Sequence, residues 1–232
     1  SVTWTLDEDG VLTLSGTGAT NDYTIEEGGR SPFYDHADAI QTLVVADGIT
    51  GIGQLLFAEC TALSSVSIPD SVTFIGAGAF YFCSALTSFD VPDEVTALGE
   101  MIFYNCYSLV QIDLSAALTS IGSYAFYDCN ALVSVNIPSG VASIGEQAFG
   151  QCDGLVSVTL PDTLTVVGAS AFAWCSALTG IELPESVGTV CEGAFADCPA
   201  MEKVIVRNAE CVIEGDAENS AFPAQAVIYG FA

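Results

Sequence analysis

Seven cysteines stand 23 residues apart: Cys60, Cys83, Cys106, Cys129, Cys152, Cys175 and Cys198. Three residues before each is a phenylalanine (Phe57, Phe80, Phe103, Phe126, Phe149, Phe172 and Phe195). Three residues after come Leu63, Leu86, Leu109, Leu132, Leu155, Leu178 and Met201. Self-similarity at a fixed period without an insertion is the signature of a solenoid, in which one repeat cannot bury its apolar edge alone. Neighbouring repeats must stack and share one continuous core.

Each repeat has two parts. The first reads L-x-x-V-x-I-P, as in "LSSVSIP" (Leu63 to Pro69) and "LVSVNIP" (Leu132 to Pro138). Alternation of Val66 and Ile68 with Ser65 and Ser67 predicts a short strand with one buried side, ended by a proline that cannot donate to a ladder. The second part, as in "IGSYAFYDC" (Ile121 to Cys129), carries Ala125, Phe126 and Cys129 at helical offsets, and a short helix or 3₁₀ turn is expected there. Ile40, Leu43 and Val45 continue the frame one period earlier, and Ala224, Val227 and Tyr229 one period later. The expected fold is an α/β solenoid. One parallel sheet of about nine short strands lies on one side, with short helices or 3₁₀ turns opposite. "WTLDEDGVLTLSGTG" reads as a β-hairpin that caps the first coil. The expected organisation is a cap over 1–39, repeats over 40–206, and a degenerate last repeat or C-terminal cap over 207–232, where Phe222 is displaced from its place.

The pattern I-G-x-x-A-F-x-x-C-x-x-L-x-x-V-x-I-P-x-x-V, carried by Ile75–Val95, Ile121–Val141 and Ile144–Leu164, resembles the BspA-like leucine-rich repeats of bacterial surface proteins. Departures are local: Ser115 replaces the proline, Cys191 the glycine, and Leu55-Leu56 a small pair. The resemblance implies a leucine-rich-repeat solenoid that is exported or displayed on the cell surface. Some relatives bind host matrix proteins or mediate adhesion. It implies no catalytic residue.

A residue repeated at one phase in every coil is a requirement of the coil. Catalysis needs one activated thiolate beside a base, and the single histidine, His36, lies outside the cysteine repeats in a loop. Zinc needs convergent thiolates, and side chains stacked in parallel do not converge. Coils about 4.8 Å apart miss the roughly 3.5–4.5 Å Cβ separation of a disulfide. Packing as small hydrophobes is the expected role. Cys191 and Cys211, outside the ladder, are the more reactive candidates.

Three cations (Arg30, Lys203, Arg207) face 29 carboxylates, for a net charge of −26. Such a chain has nothing with which to release phosphate counterions, so nucleic acid is excluded as a partner. Anionic membranes are excluded for the same reason, and no apolar run is long enough to insert into a bilayer. The opening "SVTWTLDEDG" reads as part of the fold, so export is expected to rest on a signal peptide outside this chain. Asp90 and Asp113 fall side by side on adjacent strands, a candidate for weak divalent cation binding; no other cofactor is expected. "DEDG" at Asp7 to Gly10 lacks the further ligands of a calcium loop.

The remaining signal is aromatic. Tyr81, Tyr104 and Tyr127 share one phase on three consecutive repeats, with Phe82, Tyr107, Tyr124 and Trp174 at nearby phases. The core already has a phenylalanine per repeat, so these rings are expected near the surface. There they form either a self-stacked ladder or a binding patch. The polar outer face of the strands is the customary ligand surface of leucine-rich repeats. The expected function is an extracellular module that recognises a host or bacterial surface protein or glycan, without catalysis. The alternative is a purely structural spacer in a larger surface protein.

Overall fold

Each repeat of the computed structural model, which describes residues 1–216 and 220–230, makes one coil with three sides. The first side is the expected strand. Thr42–Val45, Ser65–Ser67, Ser88–Asp90, Gln111–Asp113, Ser134–Asn136, Ser157–Thr159, Gly180–Leu183, Lys203–Val206 and Val227–Gly230 follow one another along the array. Pairing is parallel, as in Ser134↔Ser157 and Gln111↔Ser88. Hydrogen-bonded pairing along this side falls into four groups.

A second side was not anticipated. After each of these strands but the last the chain turns and forms a second short strand, from Ile49–Ile52 and Phe74–Ile75 through Ala97–Leu98, Ser120–Ile121, Ser143–Ile144, Val166–Val167 and Thr189–Val190 to Val212–Ile213. The six strands from Ala97–Leu98 onward pair as one parallel sheet. The expectation of one sheet is therefore corrected to two strand-bearing sides. The glycine after each of the first six second strands, Gly53 to Gly168, is a close-approach residue. A Cβ on Gly145 would lie 2.5 Å from the Ser123 backbone nitrogen of the preceding coil, too near for any side chain.

The third side corrects the expectation of helices. The regular helix among the described residues is a single 3₁₀ turn, Tyr34–His36. The fold is a β-solenoid, not an α/β one. Opposite the strands, two residues per repeat, two before and two after the phenylalanine, adopt left-handed backbone. Examples are Leu55 and Glu59 (φ 54 and 64), Tyr124 and Asp128 (57 and 61), and Gly78 and Phe82 (59 and 58). Alternating hands turn successive peptide units by different amounts. One set bonds within the coil, as in Cys129 N–H to Phe126 C=O at 3.2 Å. The other set bonds along the array. Phe57 N–H donates to Ala79 C=O (2.9 Å), Phe80 to Ile102 (3.1 Å) and Phe126 to Ala148 (2.7 Å). A helix would spend all of these groups locally. This arrangement spends half of them on holding coils together, and so satisfies the backbone demand.

The core follows the repeat. All seven ladder phenylalanines, all seven ladder cysteines and the Leu/Met column are fully buried. Phenylalanine rings stack coil on coil, from 5.0 Å (Phe126–Phe149) to 5.8 Å (Phe80–Phe103) between centroids. The widest gap is where Phe89, in place of a strand valine or isoleucine, wedges edge-on against both rings at 4.9 and 4.8 Å. At the start, Phe33 stacks on Phe57 at 5.5 Å and Trp4 closes on Phe33 edge-on at 5.3 Å. Trp4 belongs to the hairpin Val2–Leu6/Val11–Gly16, whose second strand pairs parallel with Thr42–Val45.

At the other end Phe222, displaced in sequence, regains the column at 5.5 Å from Phe195. The extra residues that return it shift the last strand by one place. Val204 faces Ile228, not Val227, a slip that exchanges inward and outward residues. Positions 217–219 and 231–232 of the expected terminal cap lie outside the described residues.

Candidate functional site

The ladder cysteines have a role that packing alone does not describe. Each Sγ from the second onward donates to the phenylalanine carbonyl of the preceding coil, as in Cys83 to Phe57 (3.2 Å), Cys129 to Phe103 (3.3 Å) and Cys198 to Phe172 (3.1 Å). All nine cysteines are free thiols. Burial pushes the ladder thiols up, to about 12 at Cys60 and Cys152 and about 11 at Cys198. Cys191 and Cys211 are half-buried, and both are shifted upward. Burial is the first cause for each, joined at Cys191 by a hydrogen bond and like charge from Glu214. No thiol is activated as a nucleophile.

The tyrosines come together as the spacing implies. The residue after the ladder phenylalanine is half-exposed at Ala58, Tyr81, Tyr104, Tyr127 and Ala196 and buried at Ala173. Three such residues in succession are Tyr81, Tyr104 and Tyr127. Their rings stack at 5.2 and 4.9 Å with interplanar angles of 20° and 12°. Tyr124 leans on Tyr104 and Tyr127 at 6.4 and 5.9 Å. Phe82 bridges Tyr81 and Tyr107, at 4.7 and 6.3 Å. In the following repeat the column holds Gly150, and Tyr127 occupies the space a side chain would take, within 3.0 Å of a Cβ there. Trp174, 39% exposed, makes no ring contact with this group.

The phenols of Tyr81, Tyr107, Tyr124 and Tyr127 are pushed above the usual range. Desolvation comes first in each; then Tyr104 for Tyr81 and Tyr127, Asp128 for Tyr107, and the hydrogen bond to Glu146 for Tyr124. Tyr124 donates to Glu146 Oε1 at 3.1 Å.

Tyr81 separates two depressions. One, of about 690 Å³, is lined by Tyr34, Asp35, Asp38, Glu59, Tyr81 and Phe82 among others. The other, of about 280 Å³, is lined by Ile25, Leu55, Gly78, Tyr81, Glu100 and Met101 among others. Sequence reading missed Asn105, in the cluster's midst at φ 59 and 7% exposed, whose Oδ1 is buried without a partner. Its signal was its place in a column otherwise held by exposed or half-exposed residues, which only the structure reveals.

Asp90 and Asp113 do pair across adjacent strands and line a shallow depression of about 340 Å³ with Asp70 and Asp93. Among the described residues, however, no three His, Cys, Asp or Glu side chains converge as a metal ion requires. His36 is exposed, with its ring 6.3 Å from Trp4. The three cations are engaged locally: Arg30 over Tyr34 at 4.0 Å, Lys203 over Tyr229 at 5.5 Å, and Arg207 in an ion pair with Glu182. Among the described residues no helix is long and apolar enough to cross a membrane.

Stacked parallel strands, a shared core column and surface chemistry that varies from coil to coil define a repeat protein of the leucine-rich class. The model of the BspA type leucine rich repeat region matches six copies over residues 26–155 and 119–218, and the chain belongs to that family. Several solved structures are similar. A leucine-rich repeat protein from Eubacterium ventriosum is 25% identical, covering 90% of this chain and 70% of that one, with a TM-score of 0.54. The leucine rich repeat protein of T. pallidum is 28% identical, covering 76% and 87%, with a TM-score of 0.60. No curated protein sequence matches.

Proposed function

We propose that this chain is a non-catalytic recognition module of a bacterial surface protein. It binds a protein or glycan partner through the aromatic column Tyr81, Tyr104 and Tyr127, with Tyr107, Tyr124 and Phe82 at its flanks. The observation that carries the reading is economy: the fold meets its own need for rings with the buried phenylalanine column, and the tyrosines lie outside it. Tyrosine supplies contact area with a hydrogen-bonding tip, and sugars stack on such rings. Trp174 stands away from the patch and is left out of it. Asp90 and Asp113 are a weak divalent-cation candidate on the strand side.

The test is binding of the chain to a panel of matrix proteins, mucins and glycans, with and without calcium, beside a Tyr81/Tyr104/Tyr127→Ala variant of unchanged circular dichroism. Saturable binding lost in the variant supports the reading. Binding kept by the variant moves the site to the strand face, and calcium dependence assigns Asp90 and Asp113 a part. A second reading, a spacer, draws on the self-stacking at 4.9 and 5.2 Å, in which the rings satisfy one another; absence of binding throughout favours it.

A further inference from the structure

One column of the repeat departs from what the fold requires. The residue after each ladder Leu or Met is Ser64, Thr87, Val110, Val133, Val156, Thr179 and Glu202, and every one is exposed. Val110, Val133 and Val156 are 55%, 51% and 42% exposed. The position's structural work is done by its backbone: Val110 N–H donates to Thr87 C=O at 2.9 Å and Val156 N–H to Val133 C=O at 2.8 Å. Branching at Cβ suits such an extended backbone, which accounts for threonine and valine equally. It does not account for valine over its isostere threonine on a surface where apolar area in water is unfavourable. Three consecutive coils thus present an apolar stripe that neither core nor ladder needs.

The stripe's surroundings name its occupant by charge. On the strand side lie Gln111, Ser134 and Ser157, with Asp113 beyond; three residues before the valines, on the turn side, stand Tyr107, Asn130 and Asp153. Between Arg30 and Lys203 the chain contains no lysine or arginine. Neighbouring phenylalanine rings under these coils are 5.4 and 5.0 Å apart, close to the pitch of an α-helix, about 5.4 Å. A helix laid along the array offers one apolar side chain to each valine, at i, i+3 or i+4, and i+7. An extended strand repeats its same-side residues every ~6.6 Å and falls out of step. We propose that Val110, Val133 and Val156 form a docking stripe for a basic amphipathic helix of a partner protein, with the helix's cations meeting Asp113 and Asp153. This surface is distinct from the stacked Tyr81, Tyr104 and Tyr127, meets their flank at Tyr107, and does not rest on their binding role.

The test uses a Leu/Lys helical peptide of about five turns and a scrambled peptide of the same composition, followed by fluorescence anisotropy at about 0.15 M ionic strength. The folded chain is expected to bind the amphipathic peptide saturably. Val110→Thr/Val133→Thr/Val156→Thr, which keeps shape and β-branching, is expected to weaken binding about tenfold. Thr87→Val/Thr179→Val, which lengthens the stripe to five coils, is expected to tighten it. The Tyr81/Tyr104/Tyr127→Ala variant is expected to bind the peptide normally. Equal binding by the threonine variant, equal binding of the scrambled peptide, or loss of peptide binding in the tyrosine variant would each overturn the proposal.

Discussion

Fourteen positions, two in each of seven coils, carry left-handed backbone, and twelve of them are not glycine. Left-handed backbone costs an L-residue roughly 1–2 kcal/mol, and it is least tolerable for a side chain branched at Cβ. In a chain rich in valine, threonine and isoleucine, none of these stands at any of the fourteen positions: the occupants run from Leu55 and Glu59 to Gly193 and Asp197. The strain is offset by what the geometry allows, the amide bonds along the array. Gln151 (φ 58), whose side chain holds no partner in the cluster, isolates the effect. Gln151→Gly is expected to leave stability within about 1 kcal/mol of the parent, and Gln151→Val to lower it by roughly 1–2 kcal/mol. Urea midpoints of the two variants check this, and a valine variant as stable as the glycine one would show the ladder does not demand that backbone.

A coil is the element here, and its neighbours provide most of its stability. Phe126 is fully buried between Phe103 and Phe149, at 5.4 and 5.0 Å. Phe126→Ala is expected to cost about 3–5 kcal/mol, combining the transfer of the ring with the cavity it leaves. A loss below about 1 kcal/mol would place the ring outside the core. Its burial was legible from sequence because period 23 fixes phase without any knowledge of backbone conformation. The same logic placed Cys129 and Leu132 inside and set Asp90 beside Asp113. The turn side was not legible: Ala125, Phe126 and Cys129 fall at helical offsets, yet Tyr124 and Asp128 take the left-handed region. Offsets of one, three and four record which residues point inward, and a coil of mixed hand satisfies them as well as a helix does. The second strands escaped notice because two residues, such as Ser143–Ile144, are too few to show alternation. The register of Val227–Gly230 was misjudged because four extra residues precede Phe222 and only three are lost between it and the strand, a net gain of one that a fixed period does not contain. For the site, phase placed Tyr81, Tyr104 and Tyr127 in one stack, but Trp174 shared a nearby phase without sharing their coils.

Across the whole molecule, the repetition makes a weak local effect collective. In the unfolded chain a thiol ionises near the ordinary ~8.5. In the fold, burial raises Cys60 and Cys152 to about 12 and Cys198 to about 11, and holds Cys83, Cys106, Cys129 and Cys175 well above the ordinary range. A folded value above the unfolded one means that the unfolded state loses its protons first. The stabilising contribution is therefore complete below about pH 8 and is lost as pH rises from about 8.5 through the folded values of about 11 and 12. Each thiol adds a slope of about 1.4 kcal/mol per pH unit within that window, and seven act together. The raised phenols of Tyr81, Tyr107, Tyr124 and Tyr127 act in the same direction at higher pH. Urea midpoints are expected to hold between pH 7 and 8 and to fall steeply above pH 9. A Cys129→Ala/Cys152→Ala variant is expected to start less stable but to fall less steeply. An identical slope in the variant would mean that general charge repulsion drives the alkaline loss, leaving the thiols with a packing role alone.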